Sequence, residues 1–329
     1  MNGIICSNCQ SPNRPEAKFC ARCGFRLEIP QAGLSDDTRP RPAQARTEEP
    51  AEAPDVATIP VHRNLDYRIG RRTDAGPERD LNEDSLLAIE FVWSNQAISH
   101  PAGLFVVADG MGGREGGEIA SGILVRAIAR RAASLWLPKV ASSREEPADS
   151  GAWLAAAIQA GNDEILNWAR QQGTEMGTTV VAALLTGDQG FVAHVGDSRA
   201  YRINASRIER LTLDHSLVES LVVANQISAE EAREHPQANV IYRTIGNRRQ
   251  VAIDIKPLQL GPEDTLLLCS DGLCGILSDE VIRKLVMEAA SPQSACDVLV
   301  REAIRAGGDD NITAVIVQLE SLKGADFAR

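Results

Sequence analysis

The sequence predicts an α+β body behind a small cysteine-rich module and a linker. Three observations carry that expectation. Short apolar runs such as Leu104-Phe105-Val106-Val107-Ala108 and Leu266-Leu267-Leu268 lead into aspartate and glycine, as buried strands stopped by turns do. Between such runs, apolar residues recur at helical spacing over 115–137 and again from Trp153 to Trp168. Ahead of both, four of the seven cysteines fall within the first 23 residues, and prolines crowd the stretch from Pro30 to Pro60.

A chain of 329 residues allows one large domain plus a small one, or two domains. Its apolar content of 43% suffices for a sizeable core. A formal net charge of −11 argues against a nucleic-acid partner for the body and suits carboxylates gathered around cations. The start, Met1-Asn2-Gly3-Ile4-Ile5-Cys6, lacks the basic region and apolar core of a signal peptide. No apolar run approaches the roughly 18 residues of a membrane span. The expectation is a soluble, monomeric, cytoplasmic protein.

Residues 1–29 read as a zinc ribbon. Cys6-Ser7-Asn8-Cys9 and Cys20-Ala21-Arg22-Cys23-Gly24 form two knuckles, and each can supply two corners of a tetrahedron. One structural Zn2+ suits a closed four-thiolate site, and metal binding would drive the folding of so small a unit. Two disulfides or a redox pair are the other reading; the doubled spacing in a reducing compartment weighs against it. Lys18, Arg22 and Arg26 read as a solvated face. Residues 30–62 form a Pro/Ala/Glu-rich linker with almost no large apolar residues, expected to be disordered.

The body spans 63–322. Arg79-Asp80-Leu81-Asn82-Glu83-Asp84-Ser85 is a charged loop before a strand; Glu83 and Asp84, adjacent in extended backbone, face opposite sides. Asp109 ends the 104–108 run, and Gly110-Met111-Gly112-Gly113 lets backbone or ligand approach closely. Two amphipathic helices follow, with their tryptophans as packing residues. Gly177 to Leu185 reads as one buried strand, and Phe191 to Ile203 as two strands with a bend. His194, inside an apolar run, reads as a core histidine with a satisfied hydrogen bond. Residues 211–250 form a polar insertion, expected to be a mobile flap, in which Ser228 and Glu231 make a capping box. Ser270-Asp271-Gly272 and Gly308-Asp309-Asp310-Asn311 repeat the pairing of a strand with an acidic turn. Acidic residues at the ends of several buried strands suggest one carboxylate cluster. Its repulsion would be resolved by hard cations, magnesium or manganese.

These motifs, in this order, resemble the metal-dependent serine/threonine protein phosphatases of the type 2C class. The matching pieces are Arg79…Asn82-Glu83-Asp84, Asp109-Gly110-Met111-Gly112-Gly113, Gly177-Thr178-Thr179, Gly196-Asp197-Ser198-Arg199-Ala200-Tyr201, Leu211-Thr212…Asp214-His215-Ser216, Ser270-Asp271-Gly272 and Gly308-Asp309-Asp310-Asn311. The amino-terminal segment resembles the short zinc ribbons of bacterial signalling proteins. The resemblance implies a four-layer α-β-β-α sandwich: two packed antiparallel sheets flanked by helices, with two Mn2+ or Mg2+ ions at one end. It implies that Asp109 bridges both ions, that Glu83 and the Gly110 carbonyl serve one, and that Asp271 and Asp310 serve the other. Asp84 would orient water and Arg79 would hold the substrate phosphate. A hydroxide between the ions would attack phosphoserine or phosphothreonine of a protein, opposing a serine/threonine kinase. Met111 stands where some relatives carry a histidine, and Asn225 where relatives often have glycine in the flap. Where bacterial relatives place a third-metal aspartate this chain has Thr174, with Glu175 beside it as the possible substitute. The competing reading is an inactive phosphatase-fold scaffold that binds partners through its ribbon; the complete set of expected carboxylates favours the enzyme.

Overall fold

A strand covered on one face alternates apolar and polar residues, whereas a strand covered on both faces is apolar throughout. The runs at 104–108 and 265–269 are of the second kind, and the computed structural model shows what covers each face. It describes residues 4–5, 12–14, 64–95, 98–112, 116–138, 150–233 and 235–322. The four amino-terminal cysteines and the 30–62 linker lie outside the described residues. The chain divides into two compact units, Met1–Pro60 and Val61–Arg329. In the first, β1 (Ile4–Ile5) pairs antiparallel with β2 (Pro12–Asn13).

The second unit begins with β3 (Leu65–Asp74), β4 (Asp84–Asn95), β5 (Ile98–Gly112), α1 (Gly117–Arg131) and α2 (Ser150–Gln172). Next come β6 (Met176–Thr178), β7 (Val180–Thr186), β8 (Gln189–Val195), β9 (Arg199–Ile203) and β10 (Ile208–Arg210). Two short helices, α3 (Leu217–Val223) and α4 (Ala229–Arg233), precede β11 (Asp254–Gln259) and β12 (Thr265–Cys269). The unit closes with α5 (Asp271–Cys274), α6 (Asp279–Glu288), α7 (Pro292–Arg305) and β13 (Ile312–Ser321). One sheet runs β10-β9-β12-β13-β3; the other runs β11-β8-β7-β5-β4, with β6 on β5. Neighbouring strands pair antiparallel in both sheets.

Side-chain alternation explains the layers. Phe105 and Val107 of β5 and Val181 and Ala183 of β7 pack between the sheets with Leu266, Leu268, Val315 and Val317. The intervening Leu104, Val106 and Ala108 face Leu124, Ile128, Leu154 and Ile158 of α1 and α2. On the other sheet Leu267, Cys269 and Ile316 meet Ile282, Leu299 and Val300 of α6 and α7. The large apolar side chains among these each contribute roughly 1.5–3 kcal/mol on burial, so three stacked apolar interfaces, not helix propensity, fix the α-β-β-α order.

One glycine shows how closely the outer layer sits. A Cβ on Gly70 of β3 would stand 2.2 Å from the Pro292 carbonyl, where α7 begins. Both partners are backbone and neither can swing away. Gly70→Val is expected to destabilise the fold by about 2 kcal/mol or more, read from the urea midpoint.

The structure differs from expectation in two elements. The strand expected from Gly177 to Leu185 is broken at Thr179 into β6 and β7. The Thr179 N–H donates to the Asp109 carbonyl at 2.8 Å, as does the Thr178 hydroxyl, so local pairing gives way to holding β5. The helix expected over 115–137 is present as one continuous stretch from Gly117, but Ala132–Trp136 within it is a π-helical turn that buries Trp136 to 1% exposure. The bend expected between β8 and β9 carries the chain from one sheet to the other. Gly196 makes it with φ 111°, and a Cβ there would meet Thr179 at 2.6 Å. In the insertion, Ser228 and Glu231 exchange their capping bonds at 2.7 and 3.1 Å. Asn225 there takes a left-handed φ of 53°, the region glycine enters at no cost.

Candidate active site

The topology explains how acids from distant positions meet. Asp84 opens β4 directly opposite Asp109 on β5, and opposed residues of antiparallel strands share a face. Asp271 begins α5 straight after β12, and Asp310 stands two residues before β13, so both come from the other sheet. Hydrogen bonds join the two sheets at this end. The Ser270 hydroxyl donates to Asp84 Oδ2 at 2.8 Å and accepts the Thr313 N–H at 2.9 Å. Asn311 accepts the Glu83 N–H at 2.7 Å and donates to the carbonyls of Ala75 and Leu81 at 2.9 and 3.1 Å. The loop carrying Arg79 and Glu83 is thereby stitched to the start of β13. Arg79 pairs with Asp310 at 2.9 Å through one terminal nitrogen.

Glycine is required where three backbone segments nest. The Gly110 N–H donates to the Glu83 carbonyl at 3.2 Å. A Cβ on Gly110 would lie 2.1 Å from the Gly117 oxygen and 2.5 Å from the Glu83 oxygen. The Glu83 side chain crosses Gly117 so closely that a Cβ there would sit 2.7 Å from its Cδ.

The electrostatics of the cluster are unresolved by the protein itself. Burial drives Asp109 well above the ordinary carboxylate range, and Asp271 and Asp84 push it further. Burial raises Asp84 to about 7, against the hydrogen bonds from Thr313 and Ser270 that lower it. Asp271 is raised by burial and by Asp310; Glu83 by burial and by Glu118. Asp197 on the crossover turn is raised well above its usual value by burial and by Asp271. Asp84 Oδ1, Asp271 Oδ1 and Glu118 Oε2 are buried with no hydrogen-bond partner. Buried carboxylates without partners are costly, and cations remove that cost. All-oxygen donors fit Mg2+ or Mn2+. Asp271 also lines the cleft beside the cluster.

A cleft of about 430 Å³ opens beside the cluster, lined by Asp197, Asp271 and Asp310 on one side and Val218 and Val222 of the insertion on the other. Of the acidic candidates, Glu175 does not join this group. It is exposed and lines a separate groove with Met111, Gly112 and Thr174. The cysteine candidates Cys6, Cys9, Cys20 and Cys23 lie outside the described residues. Sequence reasoning assigned no role to Ser270, Asn311 or Thr313; their polar side chains at the borders of apolar strands were the available signal.

A family model described as protein phosphatase 2C matches residues 80–305. The chain belongs to the protein phosphatase 2C family. A second model, a zinc-ribbon domain, matches residues 5–27. The phosphatase is 36% identical over 258 residues to the serine/threonine phosphatase stp of Listeria monocytogenes, covering 78% of this chain and 97% of that one. It is 33% identical over 249 residues to the protein phosphatase PhpP of Streptococcus pneumoniae, covering 75% and 95%. Among solved structures it resembles the Mycobacterium tuberculosis serine/threonine phosphatase PstP/Ppp with a TM-score of 0.65 and 33% identity, over 77% of this chain and 99% of that one. The catalytic domain of the serine threonine protein phosphatase PstP, solved in complex with 2 manganese ions, matches with a TM-score of 0.63 and 32% identity, over 78% and 99%. No described helix of the phosphatase is long and apolar enough to cross a membrane.

Proposed function

We propose that the phosphatase hydrolyses phosphoserine and phosphothreonine in proteins with the help of two Mn2+ or Mg2+ ions held at the junction of its sheets. The observation that carries this reading is the set of buried carboxylate oxygens, Asp84 Oδ1 and Asp271 Oδ1 among them, left without partners beside an open cleft. Two manganese ions in the complex of the related PstP catalytic domain support it. Asp109, Glu83, the Gly110 carbonyl, Asp271 and Asp310 would hold the ions. The ions, when bound, supply Lewis acidity that acidifies water and takes up phosphoryl charge. Asp84, fixed by Ser270 at Oδ2, has Oδ1 available to hold a proton. Arg79 uses one terminal nitrogen on Asp310 and keeps its remaining N–H groups for a phosphate.

The substrates are monoesters of serine and threonine, so the reaction that supplies them is phosphoryl transfer to a hydroxyl by a serine/threonine kinase. In the amino-terminal unit, Cys6, Cys9, Cys20 and Cys23 would hold one structural Zn2+.

Dialysis against EDTA is expected to abolish hydrolysis of p-nitrophenyl phosphate and to lower the melting temperature, and Mn2+ to restore both. A metal-stripped protein with full turnover would overturn the reading.

A further inference from the structure

One group of titratable side chains, two buried imidazoles and an exposed carboxylate, is not used by this chemistry. Ligand-type atoms of His194, His215 and Asp254 lie within 4.8 Å of one another. A metal does not fit them. The two imidazoles are stacked, with centroids 4.6 Å apart and planes at 15°, and in-plane lone pairs on near-parallel rings do not converge on one ion. A cation is already present: an Arg243 terminal nitrogen lies 2.9 Å from His215 Nε2 and 2.7 Å from Asp254 Oδ1.

The hydrogen bonds show what the group does. The Gly196 N–H donates to His215 Nδ1 at 3.0 Å, and the His215 N–H donates back to the Gly196 carbonyl at 2.8 Å. A ring nitrogen that accepts a backbone N–H carries no proton, so this pattern leaves Nδ1 unprotonated. Nε2 stands 3.2 Å from Asp254 Oδ2 and 2.9 Å from the Arg243 terminal nitrogen, which also serves Asp254 Oδ1 and the Ala252 carbonyl. The Tyr242 N–H donates to the His215 carbonyl at 2.9 Å. His194 Nε2 is committed to the Leu213 carbonyl at 2.7 Å. One imidazole thus joins three things: the base of the 211–250 insertion, edge strand β11, and the left-handed crossover at Gly196. The next residue after that crossover is Asp197, which lines the cleft with Asp271.

We propose that His215, backed by Asp254 and Arg243, is a positioning residue for the phosphatase reaction: its neutral ring latches the insertion to the crossover turn beside the cleft, and protonation releases that latch. The proposal rests on the carboxylate cluster being the active centre. An imidazolium cannot accept the Gly196 N–H. The groups that face the ring are His194 from β8, Asp254 from β11, and Arg243 and Tyr242 from the returning arm of the insertion. Neighbouring Asp214 is engaged by Arg199. Burial, with His194 and Arg243, holds His215 below the usual 6.5, against the pull of Asp254. The latch is therefore closed above about pH 6.5 and weakens as the pH falls below it.

The test uses the full chain loaded with Mn2+, with p-nitrophenyl phosphate and a phosphothreonine peptide as substrates, from about pH 5 to 8. His215→Asn places an oxygen acceptor where Nδ1 stood and cannot be protonated. It is expected to keep kcat within about threefold near pH 7.5 and to lose part of the acid-side decline. His215→Leu should lower kcat by roughly tenfold, since small misplacements at a reacting centre are costly. Two milder variants act in opposite directions: Asp254→Asn should move the acid decline to lower pH, and Arg243→Gln to higher pH. Opposite shifts support the latch. Identical acid limbs in wild type, His215→Asn, Asp254→Asn and Arg243→Gln would overturn it, as would a folded His215→Leu with unchanged kcat. Failure of the active-centre reading would look different, since Asp109→Ala would then remain active.

Discussion

Asp109→Ala is expected to cut Mn2+-dependent turnover on the order of a thousandfold or more while raising the melting temperature of the metal-free protein. Loss of an ion is worth several kcal/mol of transition-state stabilisation, and each 1.36 kcal/mol is tenfold in rate. Both effects come from one source. The Asp109 carboxyl is raised first by burial and then by Asp271 and Asp84, so without ions its charge works against the fold. Removing it relieves that strain and also removes the site. The same sign governs the pH response of the metal-free protein. These carboxyls have folded values above the unfolded value of 3.8, and Asp84 reaches about 7. Their charge weakens the fold at neutral pH, and protonation strengthens it as the pH falls from about 7 towards 3.8. His194 and His215, both held below 6.5, oppose this gain as they are driven to protonate. Asp271→Ala should behave like Asp109→Ala, because its own buried Oδ1 lacks a partner. Thermal melts with and without Mn2+, run beside activity, check both halves. An Asp109→Ala protein with wild-type turnover, or one that melts lower in the absence of metal, would contradict the account.

The largest loss of stability is expected from Arg199→Leu. Arg199 reaches Asp214 through Nε at 2.9 Å and a terminal nitrogen at 2.7 Å, and it also touches the Tyr201 hydroxyl at 3.1 Å. Asp214 is 5% exposed. Arg210 stands 4.0 Å from Asp214 but is engaged with Glu219, so it does not replace the lost partner. A buried carboxylate stripped of its partner costs about 3–5 kcal/mol. The double variant Arg199→Leu/Asp214→Leu should recover much of this, because no orphan charge remains. Arg199→Lys should recover little, since an ammonium cannot reproduce the forked contact. Urea unfolding of the single and double variants measures the difference. A single variant within about 1 kcal/mol of wild type would show that the pair is not what holds β9 to the insertion.

Much of the frame was legible in the chain because burial on two faces leaves a local mark. The runs 104–108 and 265–269 had to be covered on both sides, and an acid follows each within two residues. His194 read correctly as a core histidine for the same reason: an apolar neighbourhood demands one satisfied bond, which Leu213 supplies. The break at Thr179 was not legible. Its cause is a hydrogen bond to the Asp109 carbonyl, seventy positions away in the chain. Nor was the exposed place of Glu175, which depends on where the end of α2 is laid down.

By itself the sequence determined the apolar runs that build the core, most of the turns between them, and that acidic side chains stand at the ends of buried strands, since these follow from local period and residue type. Only the tertiary structure decided which strands lie opposite one another. That choice set Asp84 against Asp109, brought Ser270 and Asn311 across from the second sheet, and joined His215 to Gly196 and Asp254. Such pairings depend on sheet order and on the crossover at Gly196, and no short stretch of chain encodes a partner that arrives from the far side of the fold.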